Sequence, residues 1–237
     1  MALDIRIIYN CPGYLICIKP QGIVSEDPGL PSLICAQERI PALFPVHRLD
    51  QGTGGLIVLA KNPDSCKVLS EAFSAHKTEK NYLAVIQASK IEKSGTFEDY
   101  LYHDRKTNKS YIVKTMRKGA RKSACSWSLL ETVRTEEIPL HLVRVDLQTG
   151  RTHQIRVQFA SRGMPIFGDK RYGSCFKSKY PALWSAGLSF PDPEDSGKKI
   201  RFDAPPPDMD PWNRFSPAAR EEAFHELPQQ CSVLFQE

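Results

Sequence analysis

The 237 residues are 41% hydrophobic and 25% charged, with a net charge of +5, which excludes a disordered or fibrous chain and predicts one folded domain. The opening MALDIRIIYN carries Asp4 and Arg6 where a signal peptide would be apolar, and no apolar run is long enough to span a bilayer. We therefore expect a soluble, cytoplasmic protein without a membrane partner.

Short segments rich in β-branched or aromatic residues and bounded by turn residues predict six strands. In chain order they are residues 14–18, 56–60, 82–86, 111–115, 125–132 and 140–147. After the second of them, Asn62 is a predicted N-cap, Pro63 occupies the first helical position, and Cys66, Leu69 and Phe73 share one face. This pattern predicts a helix that ends near residue 76, and the strand-rich chain predicts a mixed or antiparallel sheet.

Residues 152–162 satisfy both the alternation of a strand and the spacing of a helix, and their flanks favour the helix. Thr152 can cap the first turn, and Gly163 can end the helix in the left-handed conformation. A helix start here would offer its free backbone N–H groups to a phosphate, beside Arg151 and His153.

Charge is unevenly placed along the chain. Residues 105–122 contain eight basic residues and no acidic one, whereas residues 203–237 contain seven acidic residues and two arginines. A polyanion would meet the first segment and avoid the second, although a solvated hairpin would show the same basic run. The Pro-rich stretch 203–211 predicts a body over residues 1–205 and a Pro-rich, then acidic, extension over residues 206–237 that is dispensable for folding.

Cysteines and histidines show no metal-binding pattern. The seven cysteines are an odd number without a CxxC pair, which fits neither a disulfide framework nor a zinc site and indicates free thiols in a reducing compartment. The six histidines include no HExxH motif. We expect no metal site.

A first candidate site lies in the segment PVHRLDQGTGGLIVLAKN, residues 45–62, where His47, Arg48 and Asp50 precede a Gly-rich turn and an apolar strand. A carboxylate on a tight loop suits catalysis, because glycines let a substrate approach the backbone closely. An aspartate that caps its own turn is the structural alternative.

A second candidate site lies in residues 148–173, which include Arg151, Arg156 and Lys170. An arginine beside a catalytic carboxylate would keep that carboxylate ionised and oriented. A surface helix with salt bridges would have the same composition, so neither segment alone establishes a function.

Taken together, the two segments resemble the signatures of RluA-type RNA pseudouridine synthases. HRLDQGTGGLIVLAKN resembles the motif HRLDxxTSGLxxxAK, and TGRTHQIRVQFASRGMPIFGDKRYG resembles the second signature of that family. Shorter blocks at residues 14–24, 80–85 and 185–191 stand in the family's order, so the resemblance covers about residues 5–205.

The resemblance implies an α+β fold, a mixed and largely antiparallel β-sheet flanked by helices with a central catalytic cleft. It implies an isomerase that turns uridines of structured RNA, 23S rRNA or tRNA, into pseudouridine by flipping the base, without a cofactor or a metal. Asp50 would be the catalytic aspartate, Tyr82 the aromatic that stacks on the target base, and Arg156 the basic partner of Asp50. The chemical course at Asp50, whether attack on the base, attack on the sugar or formation of a glycal, is left open.

The resemblance also implies further contacts with RNA. Arg48 would enter the space left by the flipped nucleotide, and Leu188 would form the apolar floor of the pocket. The remaining predicted RNA contacts are His47, Arg151, Thr152, His153 and Lys170.

Three further expectations complete the sequence-based hypothesis. Gly54 replaces the serine of the family motif, which removes a hydroxyl beside the catalytic loop. We expect a monomer without an accessory RNA-binding domain in front, so that recognition comes from the cleft, the basic 105–122 segment and residues 170–179. The alternative function is a non-catalytic RNA-binding protein on the same fold; a carboxylate in its RNA groove would repel phosphate, which argues against it.

Overall fold

The computed structural model describes residues 4–195, 197–222 and 224, and within them the chain forms two compact units. Unit 1 comprises residues 4–80, 185–195 and 197–204, and unit 2 comprises residues 81–184, 205–222 and 224. Each unit is described in turn.

The elements alternate along the chain with strands in the majority. The helices are α1 (Leu30–Glu38), α2 (Pro63–Ser74), α3 (Gln154–Ala160) and α4 (Pro217–Glu222), with 3-10 turns at Lys170–Tyr172 and Trp212–Arg214. The strands are β1 (Ile7–Asn10), β2 (Tyr14–Lys19), β3 (Phe44–Pro45), β4 (Gly54–Ala60), β5 (Glu79–Gln87), β6 (Ser94–Asp104), β7 (Lys109–Val113), β8 (Ala120–Val133), β9 (Leu140–Leu147), β10 (Leu183–Pro191) and β11 (Lys199–Asp203). All six predicted strands are present.

Unit 1 is built around β4, which lies between β2 and β10 in the sheet. The pairs β1–β2, β2–β4, β3–β4 and β10–β11 are antiparallel. Every residue of β4 is buried, which explains its continuous apolar run, because a strand covered on both faces needs no polar alternation. Its side chains pack in one hydrophobic cluster with residues of β2, β10 and β11, among them Tyr14, Ile16, Leu188, Phe190 and Phe202.

Gly55 permits the close approach of β4 to Ser185. Its φ is +110°, and a β-carbon there would lie 2.3 Å from the carbonyl oxygen of Ser185. In return the Ser185 hydroxyl donates to the Leu56 carbonyl oxygen at 3.0 Å. Only glycine fits both the conformation and the space, so this position of the HRLD motif is fixed by packing.

Helix α2 confirms the prediction made from its cap and its apolar face. The Asn62 side chain accepts the Ser65 N–H at 2.8 Å, and Pro63 begins the helix. The helix ends at Ser74, two residues before the predicted end. Leu69 is fully buried, so the helix covers the unit 1 core with its predicted face.

Unit 2 is an antiparallel sheet in the order β5–β9–β8–β6–β7. Helix α3 packs on one face of it through Phe159, whose ring centroid lies 5.0 Å from that of Phe97 and 5.9 Å from that of Trp127. All three rings are buried. This aromatic cluster holds the helix that carries Arg156.

The predicted start of α3 was wrong. The helix begins at Gln154, the N-cap is His153 in the left-handed conformation (φ 57°), and no side chain caps it, so Thr152 is not the cap. The Arg151 N–H donates to Gln154 Oε1 at 3.0 Å instead of standing free for a phosphate. At the other end Gly163 has the predicted left-handed conformation, with φ 74°.

The first part of the predicted extension packs in unit 2. Trp212 and Phe215 are 3% and 2% exposed, and both the backbone N–H and the hydroxyl of Ser216 donate to Glu131 Oε2, at 2.8 and 2.9 Å. This burial argues against an extension that is dispensable for folding. The acidic end of the predicted extension lies largely outside the described residues.

The described part of the chain contains no helix that is both long and apolar enough to cross a membrane. Its six cysteines are free thiols, and Cys231 lies outside the described residues. Among the same residues, no group of histidine, cysteine, aspartate and glutamate side chains has the arrangement to hold a metal ion.

Candidate active site

Asp50 lies in the loop that leads into β4, and it is partly buried. Its carbonyl oxygen accepts the Thr53 N–H at 2.9 Å, which closes a tight turn around residues 51 and 52. The sequence prediction of a carboxylate on a Gly-rich turn is therefore confirmed, and its role in catalysis stays a prediction.

The turn after Asp50 is tied to a second loop that follows β2. The Gly22 N–H donates to the Gln51 carbonyl oxygen at 2.7 Å, and the Gln51 side-chain amide donates back to the Gly22 carbonyl oxygen at 3.0 Å. The Gln21 amide donates to the Gly52 carbonyl oxygen at 2.9 Å. These reciprocal bonds hold the backbone on the C-terminal side of Asp50.

Ser25 holds the N-terminal side of Asp50. Its hydroxyl donates to the Leu49 carbonyl oxygen at 2.9 Å and accepts the Leu49 N–H at 3.0 Å. Ser25 and Leu49 are both buried, so this pair is shielded from competing water. The backbone is thus bonded to the same second loop on both sides of Asp50.

Lys19, at the end of β2, is a site residue that the sequence analysis did not single out. It is fully buried, and its ammonium group donates to the carbonyl oxygens of Pro20 (3.0 Å), Ile23 (2.8 Å) and Gln51 (3.4 Å). Burial lowers the pKa of Lys19 to about 8, and the negative charge of Asp50 opposes this change. Lys19 therefore joins both loops and places a positive group near the candidate catalytic carboxylate.

His47 is a structural residue in unit 1. Its Nε2 accepts the Val58 N–H at 3.1 Å, and its ring stacks on Phe73 with centroids 4.3 Å apart. Burial, with a smaller contribution from the positive charge of Lys80, lowers the pKa of His47 to about 3. A neutral ring with this acceptor bond has no charge to offer a phosphate, which argues against the predicted RNA contact.

We expect His47 to make the protein sensitive to acid. Because its folded-state pKa of about 3 lies below the ordinary 6.5, the unfolded state binds more protons between these values. The contribution of neutral His47 to the free energy of unfolding is fully present above pH 6.5 and is lost as the pH falls toward 3. In urea unfolding across this range, His47→Gln, which can still accept from Val58 but does not titrate, should show a flatter pH dependence than the wild type.

The exposed His76 provides the matched control for this measurement. His76→Gln should follow the wild-type pH profile. Equal slopes for the wild type and His47→Gln would contradict the structural assignment of His47.

Arg48 and Leu188 differ in exposure. Arg48 forms an ion pair with Glu26 at 2.7 Å, with both side chains about 60% exposed, so the pair contributes little to stability and leaves the guanidinium within reach of a ligand. Leu188 is 1% exposed and lies inside the hydrophobic cluster of unit 1. Its packing alone accounts for an apolar residue there, and its role as a pocket floor stays a prediction.

Tyr82 lies in β5 of unit 2, opposite Val145 of β9, and is 7% exposed. The preceding residue, Asn81, donates a side-chain hydrogen bond to Asp146, which also accepts from Arg144 Nε at 3.0 Å. These bonds lie on the sheet face opposite to Tyr82, because neighbouring residues of a strand point to opposite faces. They fix the strand from which Tyr82 projects.

Arg156 is the most firmly held candidate residue of unit 2. Its Nε and Nη2 donate to the two carboxylate oxygens of Asp169 at 2.7 and 2.9 Å, with side-chain exposures of 9% and 2%. A bidentate arginine–carboxylate pair fixes the plane of the guanidinium as well as its position. Asp169, within the second signature, is thus a residue that the sequence analysis missed.

Tyr172 connects Arg156 to the start of α3. The Arg156 guanidinium carbon lies 5.1 Å from the centroid of the Tyr172 ring, and the Tyr172 hydroxyl lies 3.0 Å from Nδ1 of His153. The same hydroxyl accepts the Ser110 N–H at 2.8 Å, and the Ser110 hydroxyl donates to the Thr152 carbonyl oxygen at 2.6 Å. His153 and Thr152 are therefore part of the internal support for α3.

Arg151 and Lys170 are both exposed, as a phosphate contact requires. Arg151 Nε donates to the Lys122 carbonyl oxygen at 3.1 Å, which holds the side chain against the basic segment 105–122. Lys170 lies in the 3-10 turn directly after Asp169. Their contact with RNA stays a prediction.

Comparisons with known proteins point to one family. Residues 13–161 match the family model described as RNA pseudouridylate synthase. A Haemophilus influenzae protein named "Uncharacterized RNA pseudouridine synthase" is 35% identical over 185 residues, which are 72% of this chain and 75% of that protein. "Ribosomal large subunit pseudouridine synthase D" of Borreliella burgdorferi is 29% identical over 189 residues, 72% of this chain and 55% of that protein.

A solved structure shows the same fold. "Human RNA Pseudouridylate Synthase Domain Containing 1" superimposes with a TM-score of 0.75 at 22% identity, covering 87% of this chain and 85% of that chain. The predicted α+β class with a largely antiparallel sheet is confirmed. The match with the Borreliella burgdorferi protein spans little more than half of that relative's length.

Proposed function

The chain belongs to the RNA pseudouridylate synthase family, an isomerase family that acts on RNA, and on that premise we propose that it converts specific uridines of 23S rRNA or tRNA into pseudouridine with Asp50 as the catalytic aspartate. Tyr82 would stack on the uracil, and Arg156 would orient the Asp50 carboxylate. No cofactor is part of this proposal.

The reaction explains why these residue types are needed. The bond between the uracil N1 and the ribose C1′ breaks, the uracil turns, and C5 bonds to C1′. The hydrogen on C5 leaves as a proton, and N1 takes up a proton. Asp50 supplies the carboxylate that acts as nucleophile or base, and Tyr82 supplies a surface that keeps the detached uracil from diffusing away. In the family resemblance, Arg156 is the basic partner of the Asp50 carboxylate.

The observation that carries the proposal is the fixed backbone on both sides of Asp50. Ser25 bonds to Leu49, which precedes Asp50, and Gly22 bonds to Gln51, which follows it. The side chain of Asp50 therefore extends from a fixed backbone position. A turn aspartate whose only role was to close its own turn would not need a second loop bonded to both of its neighbours. Catalytic groups need such positions, because small displacements of the reacting atoms cost orders of magnitude in rate.

The proposed substrate is RNA in which the target base can leave its stack. Extruding a base costs a few kcal/mol, and least where it is unpaired, so loops and distorted stems of rRNA or tRNA are the expected targets. We also propose that the protein works in the cytoplasm as a monomer. The free thiols of the six described cysteines support a reducing compartment.

Release of tritium from RNA labelled at uridine C5 tests the proposed function directly. Unmodified transcripts of tRNA and of 23S rRNA, each labelled at uridine C5, would be incubated with the protein, and tritium would be counted in the water. Transcripts labelled at C6 are the control, since that hydrogen is kept in pseudouridine. We expect release from C5-labelled RNA of one class only, and no release from either would contradict the proposal.

A further inference from the structure

Strands β6 and β7 carry three tyrosines on the face that does not pack against α3. In the register of the sheet, Tyr102 of β6 lies directly opposite Tyr111 of β7, and Tyr100 lies two residues before Tyr102. Side chains alternate between faces, so these three tyrosines share one face, which we call the tyrosine face. Leu101 and Ser110, which alternate with them, are buried at 3% and 1% exposure on the other side.

The tyrosine face is accessible. Tyr111 is 41% exposed, and Tyr100 and Tyr102 are partly exposed. Three bulky aromatic side chains on one open sheet face expose apolar area to solvent. A sheet with only a structural role does not need this exposure. Base stacking uses such rings, and sheet faces that carry aromatic side chains bind unpaired bases in other RNA-binding folds.

Basic groups lie among the rings of the tyrosine face. The Lys109 ammonium lies 5.6 Å from the centroid of the Tyr111 ring, and the Arg117 guanidinium carbon lies 4.7 Å from that of Tyr102. Lys122 of β8 is exposed and lies opposite Tyr100 in the register. The Lys109 and Arg117 cations lie over the ring faces, so a base that stacks on a ring would displace the cation toward a neighbouring phosphate.

Two acidic residues of β6 share the tyrosine face: Glu98, which is exposed two residues before Tyr100, and Asp104, two residues after Tyr102. From residue 100 to residue 130 the only acidic residue is Asp104, against the eight basic residues of 105–122. The Asp104 carboxylate already accepts the Lys106 N–H and the Thr107 hydroxyl, both at 2.9 Å. Basic residues still outnumber acidic ones around this face, which favours a polyanion.

The β6–β7 turn beside the tyrosine face is held in place. Arg171 Nη1 donates to the carbonyl oxygens of Thr107 and Asn108 at 2.8 and 2.9 Å. The Tyr172 hydroxyl accepts the Ser110 N–H at the start of β7. A hairpin fixed by two side chains of the second signature loses little entropy when a ligand binds.

We propose that the tyrosine face binds a single-stranded segment of the substrate RNA, outside the nucleotide that reacts, with about two or three unpaired bases stacked on Tyr100, Tyr102 and Tyr111. Lys109, Arg117 and Lys122 bind the intervening phosphates. An acidic peptide would use these charges but would leave the rings without a role. The inference rests on the proposed function, because RNA is the expected partner, and it gives that RNA an unpaired flank.

Binding of a fluorescein-labelled oligouridylate, measured by fluorescence anisotropy at physiological salt, tests the tyrosine face. Tyr111→Leu should raise the Kd about tenfold, and Tyr102→Leu combined with it about a hundredfold, because each ring loses one stacked base. Tyr111→Phe, which keeps the ring, should bind like the wild type. The slope of log Kd against log salt should not change in the leucine variants, whereas Lys122→Gln should lower it.

Tyr9 provides the matched control, since it is 40% exposed on β1 of unit 1. Tyr9→Leu should leave the Kd for oligouridylate unchanged, and the Tyr111→Leu variant should bind an RNA duplex as the wild type does. Thermal unfolding of every variant shows whether the fold is kept. Two results would overturn the proposal that the tyrosine face binds RNA. One is oligouridylate binding that is unchanged in the double leucine variant, and the other is binding that Tyr111→Phe weakens as much as Tyr111→Leu does.

Failure of this inference can be told apart from failure of the proposed function. The anisotropy series needs no turnover, so it decides the tyrosine face even if no tritium is released from any RNA. Conversely, a wild type that releases tritium while the leucine variants bind oligouridylate normally would leave the proposed function intact and refute the tyrosine face alone.

Discussion

Asp50→Asn should lower the rate of tritium release from C5-labelled RNA by a factor of about a thousand or more, which corresponds to roughly 4 kcal/mol of lost transition-state stabilisation. The amide has the shape of the carboxylate but is neither a nucleophile nor a base under these conditions. The turn should survive, because the Thr53 N–H bonds to the backbone carbonyl of Asp50, which the substitution keeps. Single-turnover assays with enzyme in excess would measure the loss in the chemical step.

Asp64 is the matched control for Asp50. It is an exposed carboxylate in the first turn of α2 in the same unit, and Asp64→Asn should keep the wild-type rate of tritium release. RNA binding by Asp50→Asn should also equal that of the wild type. A variant that kept more than about a tenth of the wild-type rate would remove Asp50 from the role that the family resemblance gives it.

The strands that could be predicted from sequence are those whose burial is simplest. Strand β4 is buried on both faces and reads as one apolar run, which any composition-based argument detects. Strand β6 was missed because only Phe97 and Leu101 of its eleven residues are buried, and the polar Asp99 lies between them on the same face. Helix α1 was missed because only Leu30, Pro31 and Ile34 of its nine residues are buried.

The candidate site could be predicted at the level of motifs but not of partners. The sequence placed Asp50 on the correct loop, yet it could not show that Lys19 is fully buried among three carbonyl oxygens, because lysine is ordinarily a surface residue. It assigned His47 to RNA contact, whereas the acceptor bond to Val58 depends on how the chain packs after folding. Tertiary contacts of this kind have no period or spacing in the sequence.

The same limit applies to Arg156. Its place on a helix was predicted, but its bond to Asp169, thirteen residues later, depends on the return of the chain through residues 163–168. Both residues belong to the second signature, but the sequence of that signature does not show that their side chains bond to each other. The expected partnership of Arg156 with Asp50 stays a prediction of the family resemblance.

Asp169→Ala should lower the free energy of unfolding by about 3–5 kcal/mol, because it leaves the guanidinium of Arg156 buried without its bidentate partner. Urea unfolding measured by tryptophan fluorescence would give this difference. Glu26→Ala is the contrasting control: it breaks an ion pair whose two side chains are about 60% exposed, and it should cost about 1 kcal/mol or less.

Replacing both members of the Arg156–Asp169 pair separates its structural role from its catalytic one. Arg156→Met combined with Asp169→Leu should recover most of the stability lost in Asp169→Ala, since apolar residues of similar volume avoid the cost of burying charge. Tritium release should nevertheless stay low in the double variant, because the proposed positive partner of Asp50 is gone. If the stable double variant released tritium at the wild-type rate, Arg156 would be a structural residue, and the positive charge near Asp50 would come from Lys19, whose ammonium already bonds to the adjacent Gln51.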